Sequence, residues 1–583
     1  MNTIFVKEHG IFPDTDCTLA LNELFRRFPR DTEFVFENAD YYFYPHDEMH
    51  ADYRLSNSDV KPYRVLGLWL KEMENITLVG NGARLWFAGQ MQPVTMAHCK
   101  NMRMEGFVID WKKPLVAEGI VVGSGAGYTD LYISQETFPH RCENGRIEFD
   151  TGAGEWYPLT NWGHILFDFN NKCVTRASGD CFAPISVEAL GDSVYRFTWS
   201  SDFVAPVGNV LVLRHNARIH AGIFTEKCED ITFSDITVHS CGGLGILAQF
   251  CHDLTYQRIH FLPNTVEGRR ISCGRDDAMH ITCNSGTVTV TECTFLGLMD
   301  DPINVHSCCV TSNEVVDEYT LRCKYRHNQA CGFHWWAEKG DEISFIARNN
   351  MSCIGSGKAT SYVLEDMDTF TLKFDSPLPR QILDLAKAGE ALALDNLSHT
   401  ASFICTNNRF GSCRARGVLI STPKPVRIKH NYFASSGSAI LVAGDANHWF
   451  ESGECHDVEI TDNVFTDVCL SSSYQFCDGI ISICPVVPEP DVKLPFHKSI
   501  RITGNTFDSP DTPILYAFST ENLVFSGNRI FHSPCAPKWH PGKWRIKLDH
   551  IKQAKLSDNT WVGEFCKDDD VVKTVECESI ELL

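Results

Sequence analysis

Apolar residues along this chain alternate in short bursts, and the bursts share a punctuation. Asn75, Asn101, Asp230, Asp253, Asp457 and Asn522 each open the pattern apolar, any residue, apolar. Asn and Asp tolerate the left-handed backbone that a sharp corner needs. Each is therefore read as a corner followed by a short strand with inward apolar side chains. In the C-terminal half the bursts end in Asn, any residue, then an aromatic or apolar one, at Asn408, Asn431, Asn463, Asn505, Asn528 and Asn559. Asn408 to Asn431 and Asn505 to Asn528 are each 23 residues, the period of one coil of a stacked β-structure. Larger gaps are a coil plus a loop. Stacked asparagines can hydrogen-bond along the turn. The pattern predicts an all-β chain folded as a right-handed parallel β-helix. A β-propeller is the alternative, but its repeats are nearly twice as long.

Leu19, Leu24, Phe25 and Phe28 have helical spacing, which predicts an N-terminal helix capping the open end of the stack. Two stretches break the coil pattern and carry strand-like alternations instead. Each predicts an inserted antiparallel β-barrel-like domain. The expected organisation is a cap and first coils at 1–112, an insert at 113–215, coils at 216–309, a second insert at 310–398, and coils at 399–583.

The most informative stretch runs from Ile271 to Ser307. Asp276-Asp277 and Asp300-Asp301 each precede a short apolar run, and Asp301 lies 24 residues after Asp277. That offset puts Met279 on Ile303, His280 on Asn304 and Ile281 on Val305. Equivalent residues of neighbouring coils lie roughly 5 Å apart. Four carboxyls that close repel one another and shift each other's protonation, as acid–base chemistry requires. Glycoside hydrolysis needs one protonated carboxyl and one carboxylate, and adjacent coils supply both. A solvated or calcium-binding acidic turn is the plainer reading; calcium would want further oxygen ligands around one point.

Between Ser438 and Gly453 a strand opens into a loop holding Asp445, Asn447, Trp449 and Glu451. Such a set suits a sugar: polar groups take the hydroxyls and a flat ring takes the apolar face. A hairpin loop with one buried Trp is the plain alternative. Arg416 occupies roughly the place of the acidic pairs on the coil between, to pair with them or to bridge coils. Asp110-Trp111 ends an earlier coil with a similar polar–aromatic pair. His280, Asn304 and His306 share the strands of the acids and join the substrate-binding candidates.

Net charge is −22 over 583 residues, which argues against nucleic acid, an anionic membrane or a polyanionic substrate. No apolar run is long enough to span a membrane. The 25 cysteines form no paired C-x-x-C sets, so no metal and no cofactor is expected. Several cysteines sit two places before a corner, at Cys99, Cys228, Cys251 and Cys455, as small buried residues do. With no basic and apolar leader as written, reduced thiols and a cytoplasmic location are expected, or a secreted or periplasmic one if a leader was removed. Self-association into a homo-oligomer stays open.

The motifs Ile109-Asp110-Trp111, Asp276 to His280, Met299 to His306, Arg414 to Pro423 and Ala439 to Gly453 together resemble glycoside hydrolase family 110. That resemblance spans nearly the whole chain, both inserts included. It implies a parallel β-helix with barrel-like inserts, removal of terminal α-1,3-linked galactose from blood-group-B-type and related glycans, and a metal-free inverting mechanism. Carried over by motif, Asp277 matches the general acid, and Asp300 and Asp301 the pair assigned to the general base. Asp276 is an additional acid beside Asp277. A polygalacturonase-like enzyme, a polysaccharide lyase and a non-catalytic glycan-binding β-helix remain as alternatives. Inversion asks for acid and base roughly 6.5–9.5 Å apart, so either the side chains splay or the further member of each pair is used.

Overall fold

The computed structural model describes residues 2–58, 60–170, 173–174, 181–202, 204–215, 218–411, 413–466, 469, 478–533, 544–563 and 571–583. Five of the six corners read at Asn or Asp before an apolar alternation take the expected backbone; Asp457 does not. Asn75, Asn101, Asp230, Asp253 and Asn522 all adopt left-handed backbone, at φ between 50° and 58°. Each turns the chain and starts a strand whose alternate residues are buried.

Those strands stack in parallel into a β-helix. One ladder runs Val94, Ile223, Ile246, Met279, Ile303, Val418, Ile440 and Ile481, and all of these are buried. The 24-residue alignment holds residue by residue: Met279 pairs with Ile303, His280 with Asn304 and Ile281 with Val305.

The asparagine corners form a ladder of their own. The amide N–H of Asn408 donates to Oδ1 of Asn431 at 2.9 Å, Asn431 to Asn463 at 2.9 Å, Asn463 to Asn505 at 2.9 Å, Asn505 to Asn528 at 2.9 Å and Asn528 to Asn559 at 3.0 Å. Buried polar groups that would otherwise cost about 1–3 kcal/mol each are thereby satisfied. Beside this ladder the rings of Phe410, Phe433, Phe465 and Phe507 stack at 4.5, 5.0 and 4.6 Å. The corner cysteines are buried, and the thiols of Cys99 and Cys228 donate to the carbonyls of Leu70 and Met96.

The N-terminal helix spans Thr18–Arg27. It buries Leu21, Leu24 and Phe25 against the first coils, while Leu19, which the spacing placed on the apolar face, is exposed. In the first insert, Val116–Gly125 pairs antiparallel with Tyr128–Tyr132 and Val210–Arg214 inside an eight-stranded sheet. The second insert is a closed six-stranded barrel from Val310–Asp317 to Leu392–Asn396. A helix at Arg380–Lys387 packs on it through Ile382 and Ala386, which strand-like alternation alone did not predict.

Both inserts reach the coils that carry the acids. Glu118 of the first accepts the backbone N–H of Arg270, Ile271 and Ser272 at 2.7–2.9 Å, fixing the approach to Asp276-Asp277. Arg348 of the second donates to the Ala446 carbonyl at 2.8 Å and accepts from the Asn447 side chain at 3.3 Å, holding the loop after Val442.

Candidate active site

Both acidic pairs lie in the bends just before the strands Met279–Thr282 and Ile303–Cys308. Of the first pair Asp277, not Asp276, lines a cavity of about 170 Å³. Asp276 is fully buried among three guanidinium groups: Arg275 at 2.7 Å, and Arg214 and Arg218 at 3.5 Å. Burial pushes its pKa up, but Arg218, Arg275 and Arg214 outweigh that and hold it well below the ordinary carboxylate range.

Asp300 and Asp301 enter the same cavity from the next coil. Oxygens of Asp277, Asp300 and Asp301 come within 4.8 Å of one another. The side chains therefore do not splay as a widely spaced inverting pair requires. Asp301 accepts the backbone N–H and one guanidinium N–H of Arg416, each at 2.8 Å. Asp300 lies 3.4 Å from Arg414 and is 21% exposed in its side chain. Burial, then the negative charge of Asp300, pushes Asp277 well above the usual carboxylate range. Burial also raises Asp301, against the opposing pull of Arg416.

Behind Asp277 runs a buried polar chain. Its Oδ2 lies 2.9 Å from His280 Nδ1, His280 Nε2 lies 2.9 Å from His306 Nε2, and His306 Nδ1 lies 2.8 Å from the Ser307 carbonyl. Burial lowers both imidazoles, His280 to about 4. Glu451 stands 3.6 Å from His306 Nε2 and accepts from Asn304 at 3.3 Å. Burial raises Glu451, but His306, His280, Asn304 and Arg416 reverse this and lower it. His280, His306 and Glu451 bring three donor atoms within 4.8 Å, as do the three aspartates. Among the described residues these are the two sets whose geometry would suit a cation.

Of the residues singled out from sequence, Asp277, Asp300, Asp301, Asn304, Arg416, Asp445, Trp449 and Glu451 all border the cavity. Asp445 does so with its carboxylate already engaged: it accepts the N–H groups of Asn447, His448 and Trp449, so its first role is to shape the loop. Trp449 is 39% exposed and packs beside His327 at 4.5 Å. His280 and His306 sit behind the wall rather than in it, and Asn447 points to Arg348. Asp110 and Trp111 belong elsewhere. Asp110 is buried in a pair with Arg269 at 2.7 and 2.8 Å, and Trp111 is a core ring donating to the Gly89 carbonyl. A polar–aromatic pair at a coil end looks the same in sequence whichever way it faces.

Sequence reasoning missed Arg218, Arg414 and Asn57, which also border the cavity. Arg414 and Arg416 lie in the bend before the strand Val418–Ile420, where alternation does not decide the facing of a side chain. Asn57 and Arg218 come from irregular chain, where no periodicity points to them.

Two family models match the inserts: GLAA-B beta-barrel domain I over residues 117–211 and GLAA-B beta-barrel domain II over 320–384. An alpha-1,3-galactosidase B of Bacteroides thetaiotaomicron is 35% identical over 96% of this chain and 91% of its own length. An alpha-1,3-galactosidase B of Akkermansia muciniphila is 31% identical over 90% of this chain and 66% of its own. Among solved structures, a family 28 exopolygalacturonase of Yersinia enterocolitica aligns at 10% identity and a TM-score of 0.43, covering 99% of this chain and 78% of that one. With more than a third of its residues shared along nearly its whole length with the Bacteroides protein, and both GLAA-B barrels in place, the chain belongs to the alpha-1,3-galactosidase family.

Proposed function

We propose that this protein, as a member of glycoside hydrolase family 110, removes terminal α-1,3-linked galactose from blood-group-B-type or related glycans by an inverting acid–base mechanism. The observation that carries the reading is the meeting of three carboxyls in one cavity, within 4.8 Å of one another, beside Trp449 and Glu451. Three full negative charges cannot share so small a space, so the cluster holds a proton. Asp301 has Arg416 and Asp300 has Arg414. Asp277 meets the neutral ring of His280 at 2.9 Å; burial and the charge of Asp300 outweigh the pull of Arg218, and it keeps the proton. Asp277 then protonates the departing oxygen, while Asp300 and Asp301 orient and deprotonate the attacking water. Trp449 offers a face to the galactose ring, with Glu451, Asn304 and Arg416 taking hydroxyls.

A second assignment is favoured by one observation. Asp300 is the most exposed of the three at 21% of its side chain, and a leaving group departs through the open side. There Asp300 is the donor, and the deeper Asp277 and Asp301 hold the water.

The test uses a B-type trisaccharide and an aryl α-galactoside with a good leaving group, which needs little protonation. Asp277→Asn should lose most activity on the trisaccharide and keep much more on the aryl substrate, while Asp301→Asn loses both alike. Selective rescue of Asp300→Asn instead moves the donor to Asp300. An unsaturated, ultraviolet-absorbing product would mark a lyase, and binding without galactose release would end the hydrolase reading.

A further inference from the structure

A second cavity opens on the same side of the β-helix, nearer its N-terminal end. It lies between the first coils and the first insert, with a volume of about 610 Å³. Its position is set by the ladder. Val94, Ile223, Ile246 and Met279 are successive members of one parallel column. Gln90, His220 and Asp277 enter that column four, three and two residues before Val94, Ile223 and Met279. They therefore share the edge where strands begin, and Gln90 stands three coils from Asp277, about 14 Å at ~4.8 Å per coil. The chain itself links the two cavities: Arg218 borders the first, and Ile219 and His220 border the second.

The chemistry of its wall is that of a sugar site. Tyr44 and Tyr63 are 41% and 49% exposed. Tyr63 rests one face on His50 at 5.1 Å, which leaves its other face to the opening. Tyr157 donates its hydroxyl to Glu155 at 2.8 Å, holding ring and carboxylate together. At the base lies Gln90, 7% exposed. His220 Nε2 accepts from the Val65 N–H at 3.0 Å, so its Nδ1–H faces Gln90 Oε1 at 3.4 Å. That fixes the amide orientation and leaves Gln90 Nε2, a buried donor, without a partner among the described residues. Buried donors left unmade are costly, and Gln90 borders the cavity. Flat rings, the Glu155 carboxylate, the Gln90 amide and the Lys61 ammonium line the cavity together, a mixed wall that suits the hydroxyls and apolar faces of a carbohydrate better than an apolar ligand.

We propose that this cavity is a leaving-side subsite. It holds sugars of the substrate beyond the cleaved bond, so that the glycan runs along the strand-entry edge from Trp449 past Asp277 toward the N-terminal coils. The direction follows from the site: the galactose-holding residues lie on later coils than Asp277, and the departing part extends toward earlier ones. The proposal rests on the galactosidase reading, and it makes the enzyme one that prefers long glycans over short ones.

The experiment compares kcat/KM on a B-type trisaccharide and a B-type hexasaccharide for the wild type, Tyr63→Ala, Tyr157→Ala and the double variant. The wild type should favour the hexasaccharide by roughly threefold to tenfold, and the double variant should lose that advantage while trisaccharide turnover stays unchanged. Tyr63 is exposed and Tyr157 half-buried, and unchanged trisaccharide turnover also reports an intact fold. Equal rates on the two glycans in the wild type, or an advantage that survives in the double variant, would overturn the subsite. Saturation-transfer NMR with the pentasaccharide that lacks the terminal galactose separates the two claims. Binding that depends on Tyr63 without any galactose release keeps the subsite and ends the galactosidase reading; galactose release without pentasaccharide binding does the reverse.

Discussion

His280 Nε2 lies 2.9 Å from His306 Nε2, and that contact relays the hydrogen bond at Ser307 to the next bond along, where the proton between His280 and Asp277 sits. A carbonyl oxygen only accepts, so the 2.8 Å bond from His306 to Ser307 places hydrogen on His306 Nδ1. A neutral His306 then accepts at Nε2 and His280 donates there. Neutral His280 is left with a bare Nδ1, which accepts at 2.9 Å from Asp277 Oδ2. The proton in that bond belongs to Asp277. Burial keeps both rings neutral, so the chain as a whole favours the protonated acid.

The first prediction follows from this chain. A general acid works while protonated, so activity falls as pH rises through its pKa. His280→Phe removes the acceptor that stabilises neutral Asp277, and the Asp277 pKa drops. The alkaline limb of kcat/KM should move about one unit to lower pH, the size of one hydrogen bond. A pH–rate profile whose alkaline limb is unchanged in the variant would detach His280 from Asp277 and favour Asp300 as the donor.

A second prediction concerns metals. His280, His306 and Glu451 offer a compact donor set, but the proton placement above puts hydrogen on His280 Nε2, and a protonated nitrogen cannot ligate. Activity should therefore survive dialysis against EDTA. The opposite arrangement has both Nδ1 atoms donating and both Nε2 lone pairs converging, as histidine ligands with carboxylate and carbonyl partners do. Stoichiometric zinc in the purified protein, with activity lost on its removal, would establish that arrangement and cancel the first prediction.

The third prediction is stereochemical. The family resemblance implies inversion, so β-galactose should appear first when hydrolysis is followed by NMR. The compact carboxyls, within 4.8 Å by their oxygens, are nearer the roughly 5–5.5 Å usual for retention than the 6.5–9.5 Å usual for inversion. Early α-galactose would show that one of the three attacks the sugar directly, and it would remove the water-activating role given to Asp300 and Asp301.

Much of this was legible in the sequence for an identifiable reason. Corner residues are chosen for backbone freedom, so Asn75 and Asp253 declare themselves locally, and a constant coil length turns sequence offset into spatial register. Asp277 and Asp301 could thus be stacked on paper. What was not local was not legible. The three guanidinium groups around Asp276 come from chain as far away as Arg214, and Asp110 meets Arg269 across a gap of 159 residues. Asp445 looked like a sugar ligand because its loop is polar, yet that same loop's N–H groups take up its carboxylate first.

The last prediction separates two neighbouring aspartates by what they do for folding. Asp276 is the counter-charge of Arg275, Arg214 and Arg218. Asp276→Asn leaves the buried Arg214 and Arg275 and the half-buried Arg218 without it, and removing one partner of a buried ion pair typically costs about 3–5 kcal/mol. The melting temperature should fall by several degrees or more. The pH dependence has a definite sign. The folded-state pKa of Asp276 lies below its unfolded value, so its stabilisation is complete above the unfolded pKa of about 3.9 and is lost as pH falls through and below it. Wild type should therefore lose stability toward acid more steeply than Asp276→Asn. Asp277 behaves in the opposite sense. It is buried beside like charges and raised, so folding is opposed by its ionisation at pH values above the unfolded pKa. Asp277→Asn removes that penalty, and its melting temperature at neutral pH should equal or exceed that of the wild type while trisaccharide hydrolysis collapses. Thermal melts of both variants from pH 2 to 8 read the contrast directly, the Asp276 effect below about pH 4 and the Asp277 effect above it. If Asp277→Asn is the destabilised one and Asp276→Asn melts like wild type, the inward and outward members of the pair have been exchanged, and the acid chemistry moves to Asp276.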